Sequence, residues 1–137
     1  MSFFEDDVKA VKLADWLDWS GGTNNAVFVA LPMIQRGSVW KPGQIVDLWD
    51  SLLQGMPVGS LMASELNKKG TFVRRLGKGK RKEELPAGGG LALVDGQQRT
   101  ISMLSAWQRA NDMEMDKKVW IDFTRTHPPG YLLQLRV

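Results

Sequence analysis

Apolar positions between Pro42 and Gln54 recur as Ile45, Leu48, Trp49 and Leu52, a spacing of three and four that lines one face of a helix. Pro42 suits the first turn, where a missing N–H is harmless, and Gly55 with Pro57 closes the far end. A shorter helix is predicted over residues 12–19, with Leu13, Trp16 and Leu17 on one side and Ser20-Gly21-Gly22 stopping it. Residues 26–31 fit a strand that ends at Pro32, and residues 58–64 and 71–75 read as two more, separated by the polar turn Asn67-Lys68-Lys69-Gly70. Leu91-Ala92-Leu93-Val94 is a short continuous apolar run, the pattern of a strand buried on both faces. It feeds directly into Asp95-Gly96. Beyond that turn Ile101, Leu104 and Gln108 form one helical stripe and Met103, Trp107 and Ala110 an adjoining one, so a helix reaching Ala110 would be packed on two sides. Residues 119–123 and 131–137 read as strands around a His127-Pro128-Pro129-Gly130 turn, and no internal repeat is present.

Composition narrows the chemistry. The 137 residues are 43% hydrophobic and include six Trp, enough for one core, so a single domain over 1–137 is expected. Without cysteine there are no disulfides or thiolate metal sites, and the lone His127 supplies neither a histidine metal cluster nor a His-Asn-His nuclease motif. The N-terminus, Met-Ser-Phe-Phe-Glu-Asp-Asp, is acidic and unlike a signal peptide, and no apolar run reaches membrane-spanning length; the expectation is a cytoplasmic protein with no membrane partner. The chain stops inside an apolar segment, which raises the expectation of a piece cut from a longer polypeptide.

The net charge of +3 is modest, but its distribution is uneven. Residues 76–90 are rich in Gly and Lys and end in three glycines, so they are expected to form an exposed flexible loop. Arg74, Arg75, Lys78, Lys80, Arg81 and Lys82 cluster there. Two readings stay open for them, a solvated mobile segment or a contact with the DNA backbone.

The strand-turn-helix from Val94 to Leu104 carries the chemistry. A helix start exposes unpaired backbone N–H groups and the positive end of the helix dipole, and both attract phosphate. Gly96 admits an anion close to the main chain, and Arg99 brings a planar fork of donors matched to phosphate oxygens. Gln97 and Gln98 are candidates to position a water, and Asp95 to hold a magnesium ion or act on that water. The plainer alternative makes Asp95-Gly96 an N-cap and turn, with Arg99 solvated. Trp16, Trp40, Trp49, Trp107 and Trp120 are expected in the core rather than as ligand platforms, and His127 in an exposed turn.

Two stretches together resemble the N-terminal domain of GmrSD-type restriction proteins. One is Leu31-Pro32-Met33-Ile34-Gln35-Arg36-Gly37-Ser38-Val39-Trp40, followed by Gln44-Ile45, Leu48, Asp50-Ser51, Gly55, Pro57 and Gly59-Ser60. The other is Leu93-Val94 followed by Asp95-Gly96-Gln97-Gln98-Arg99. The pattern departs from relatives at Ser38, where an aromatic is common, and at Ile101, where Thr is common. The resemblance implies an α+β fold, a ParB/sulfiredoxin-like small mixed sheet with packed helices. It also implies a pocket with Gln35 and Arg36 on one side and Gly96 and Arg99 on the other, binding a nucleoside triphosphate with Mg. Catalysis would then fall to Asp95, Gln97 and Gln98. The implied role is a regulatory module that couples nucleotide to sensing of modified DNA and controls a nuclease on another domain or subunit. A ParB-like nucleotide-dependent binding switch, or a DNA adaptor without turnover, is the alternative.

Overall fold

The computed structural model describes residue 8 and residues 10–31, 40–76, 82–107, 119–123 and 135–136. Its centre is β5 (Gly90–Asp95), flanked in a three-stranded mixed sheet by β1 (Val29–Ala30), which runs parallel to it, and β2 (Met62–Leu66), which runs antiparallel. The expected α+β architecture therefore forms, with three helices packed on one face. Leu91 and Leu93 alternate onto that face beside Val29 and meet Trp16 and Leu17 of α1 (Leu13–Gly21), Leu48 of α2 (Pro42–Leu53), and Met103 and Leu104 of α3 (Gln97–Leu104). The opposite face carries Phe28 and Ala30, packed with Val73 and Leu85 from the ribbon of β3 (Phe72–Arg74) and β4 (Lys82–Glu84). A last antiparallel pair joins β6 (Trp120–Ile121) to β7 (Leu135–Arg136), and β7 lies against α2.

Local chemistry explains where α2 begins and ends. Pro42 opens it, and the Gln44 side chain turns back to accept the Lys41 backbone N–H at 2.9 Å. At the far end Gly55 adopts φ 73°, while the N–H groups of Gly55 and Met56 close on the carbonyls of Leu52 and Ser51. That pair of bonds is a Schellman motif, which needs the left-handed residue that glycine supplies.

Three tryptophans brace α3 with their indole N–H groups. Trp16 donates to the buried Thr100 hydroxyl, Trp49 to the Ser102 carbonyl, and Trp107, just beyond α3, to the Asp18 carboxylate on α1. Each ring thus fills the space between helices and still satisfies its polar edge. Trp120 differs from the core placement expected of it, being largely exposed on β6.

Several predicted elements shift. Strand 58–64 begins four residues later and pairs with β5 rather than with the next strand in sequence. Residues 82–84, expected in an unstructured loop, form β4 against β3. Helix α3 ends at Leu104 rather than running to Ala110, and residues 108–110 lie outside the described set. The 91–94 run is not buried on both faces either: Val94 is 48% exposed, since a register shift between Met62 and Ala63 makes it the extra residue of a β-bulge.

Candidate functional site

That bulge determines which way the site faces. Leu91 and Leu93 point into the core, and strict alternation would send Asp95 after them. With Val94 extra on β5, Asp95 emerges 70% exposed instead. Gly96 follows at φ 92° and is the residue that caps α3, so the N-cap is Gly96, with no side-chain cap, and not Asp95. An aspartate side chain at the cap would have satisfied one first-turn N–H; the buried Gly96 brings no side-chain acceptor to that end of α3.

Arg99, on the first turn, reaches back beside Gly96. Its Nη1 donates to the Val58 carbonyl at 2.9 Å and its Nη2 lies 3.5 Å from the Asp95 carboxylate. The guanidinium sits between two glycines of positive φ, Gly59 at 91° and Gly96 at 92°. A Cβ on Gly59 would come within 2.6 Å of Nη1, and one on Gly96 within 3.3 Å of Nη2 and against the Leu61 side chain. Val58, Gly59 and Leu61, in the loop between α2 and β2, are therefore part of the site, although the sequence analysis assigned them no role. The only signal for them was the Gly55, Pro57, Gly59 spacing, and nothing local ties that loop to an arginine forty residues on.

The two glutamines part company. Gln97 is 6% exposed, and its Nε2 donates to the Leu93 carbonyl at 2.7 Å. The need for that bond is readable from the register. With the Leu91 N–H on the Phe28 carbonyl, a continued parallel ladder would next offer the Leu93 carbonyl to the N–H of residue 32, which is proline and has none. Gln97 supplies the missing donor, so its amide faces the protein rather than a ligand. Gln98 stays half-buried on the first turn.

Gln35 and Arg36 lie outside the described residues. The elements leading to them do bear on the pocket, because β1 and β5 are parallel neighbours. The chain leaving β1 through Leu31 and the turn leaving β5 at Asp95 thus start from the same end of the sheet.

The basic cluster is divided. Arg75 is 4% exposed, and its guanidinium donates to Asn25 at 2.9 Å and the Trp19 carbonyl at 3.1 Å, lies 3.6 Å from Glu83 and stacks over Phe28. Burial lowers its pKa, and the Glu83 charge and hydrogen bond oppose that shift. Arg75 is a buried cation that ties the ribbon to α1, in contrast to the solvated, mobile placement expected of the cluster. Arg74 is half-buried and Lys82 exposed, while Lys78, Lys80 and Arg81 lie outside the described residues, as does His127. Among the described residues no group of three or more His, Cys, Asp or Glu could hold a metal ion, and no helix is long and apolar enough to cross a membrane.

Residues 18–129 match the family model described as GmrSD restriction endonuclease, N-terminal domain. No curated protein and no solved structure matches the chain.

Proposed function

Since the chain belongs to the family of GmrSD restriction endonuclease N-terminal domains, we propose that it binds a nucleoside triphosphate at the Gly96 turn, as the nucleotide-responsive module of a DNA restriction system. The observation that carries this reading is the arrangement at the head of α3. An uncapped helix start, a glycine at φ 92° and an arginine fork converge there, and each favours a phosphate group.

In this reading the phosphates rest on the first-turn N–H groups of α3 and on Arg99, with Gln35 and Arg36 contributing from the segment after β1. Asp95 is the exposed carboxylate at hand for magnesium. One carboxylate suffices when phosphate oxygens and water fill the remaining positions, and the ion would neutralise charge on the phosphates. If the chain turns nucleotide over, Asp95 and Gln98 are the groups to orient water, since the Gln97 amide is engaged inside. The partners that fit a restriction-system domain are DNA, modified or not, and a nuclease.

Calorimetric titration with magnesium and non-hydrolysable analogues of ATP and GTP tests the reading. Arg99→Ala should weaken binding by roughly 1.5–3 kcal/mol, the scale of a hydrogen bond to a charged group, in a protein that stays folded. Equal affinity in folded wild type and mutant would remove Arg99 from the site. Phosphate release with and without modified DNA then separates turnover from a nucleotide-dependent binding switch.

A further inference from the structure

We propose that Gly59 is a positioning residue for Arg99, and that the α2–β2 loop is thereby a working part of the phosphate site. The proposal rests on the nucleotide reading for its functional consequence, while its structural half stands on geometry alone.

The Arg99 side chain is only 20% exposed, so its neighbours rather than water set where the guanidinium lies. The Val58 carbonyl fixes Nη1 from the loop side. Gly59, the next residue, presents a bare α-carbon at that point, and an added Cβ would stand 2.6 Å from Nη1 and 3.6 Å from Cζ. A Cβ atom does not approach another heavy atom that closely, and the atom it meets is the far end of a flexible side chain. Arg99 would therefore swing away before the backbone moved. It would lose the Val58 carbonyl and its place beside Gly96 at the helix start.

Gly55, in the same loop, separates this effect from backbone strain. It too has positive φ, 73°, but a Cβ there meets nothing within 4 Å. Alanine at Gly55 thus carries the left-handed penalty alone, whereas alanine at Gly59 carries the penalty and the collision with Arg99.

The test compares Gly59→Ala, Gly55→Ala, Arg99→Ala and the Gly59→Ala/Arg99→Ala pair by urea unfolding, by the arginine Nε–Hε signals in NMR spectra, and by titration with magnesium and non-hydrolysable ATP and GTP analogues. Gly59→Ala should displace the Arg99 signal and lower affinity about tenfold, the loss of one charged hydrogen bond; Gly55→Ala should do neither. In the Arg99→Ala background, Gly59→Ala should cause no further loss of affinity, and its effect on stability should shrink to that of Gly55→Ala. An unmoved Arg99 signal in folded Gly59→Ala, or losses of affinity that simply add, would overturn the proposal. If Gly59→Ala alone fails to fold, rescue by Arg99→Ala supports it, and failure of the pair where Gly55→Ala folds overturns it. Should the wild type bind neither analogue, the nucleotide reading fails by itself, and the Arg99 signal with the stability coupling still decides whether Gly59 sets Arg99.

Discussion

Asp95 and Gln97 sit two residues apart in one motif and serve opposite ends. The bulge at Val94 turns Asp95 outward, where its carboxylate lies 3.5 Å from the Arg99 guanidinium. An ion pair at such a surface contributes little, so Asp95→Ala and Asp95→Asn should each lower stability by less than about 1 kcal/mol. Gln97 is the reverse, since removing its amide strands a buried carbonyl; Gln97→Ala should destabilise by about 1–3 kcal/mol. Nucleotide-dependent activity should divide the other way, falling steeply in Asp95→Asn at nearly unchanged stability. Thermal unfolding and phosphate release on the three variants measure both halves, and a fully active Asp95→Asn would leave Asp95 no part in magnesium binding or water activation. The motif itself was legible in the sequence, but its internal division of labour was not. Which way Asp95 faces depends on a bulge set by pairing with β2, some thirty residues earlier, and which way Gln97 faces follows from its bond to the Leu93 carbonyl of β5, which the motif's own residues do not announce.

Among the elements, α2 was read from sequence almost to the residue because everything that defines it is local: the three-and-four spacing, Pro42 at the start and Gly55 past the end. The strands were harder for the opposite reason. Lys82–Glu84 is charged throughout and has no strand pattern of its own; it is a strand because Val73 and Leu85 close over Phe28 and Ala30 when it pairs with β3. Arg75 was misread for the same cause, as its neighbours in sequence are basic while its neighbours in space are Asn25, Trp19, Glu83 and Phe28. Arg75→Ala should therefore destabilise the fold by about 2–3 kcal/mol, through loss of charged hydrogen bonds and of packing on Phe28. Urea unfolding checks the loss. DNA titration of the still-folded variant should give wild-type affinity, and a selective drop there would return Arg75 to the DNA surface.

At the scale of the whole molecule, the helices on one face and the ribbon on the other leave β5 little freedom, and its turn projects from the sheet end from which the chain also departs β1. The basic segment connects β3 to β4, and the ribbon of those two strands packs on the sheet face away from the helices. A nucleotide site at one place and a DNA contact at another is therefore the arrangement to test, and charge makes the two separable. Phosphate contacts release counterions, so each lysine or arginine that neutralises a DNA phosphate adds about 0.9 to the slope of log affinity against log salt. Replacing Lys78, Lys80, Arg81 and Lys82 by Gln should flatten that slope by about 3–4 units if all four meet phosphates. The same variant should bind nucleotide as the wild type does if the two sites are separate. Arg99→Ala is the complementary control and should weaken nucleotide binding while the salt slope for DNA holds. A slope unchanged by the fourfold replacement would make the segment a solvated connection and send the search for the DNA surface elsewhere on the chain; a parallel fall in nucleotide affinity would mean that the segment and the Gly96 turn share one site.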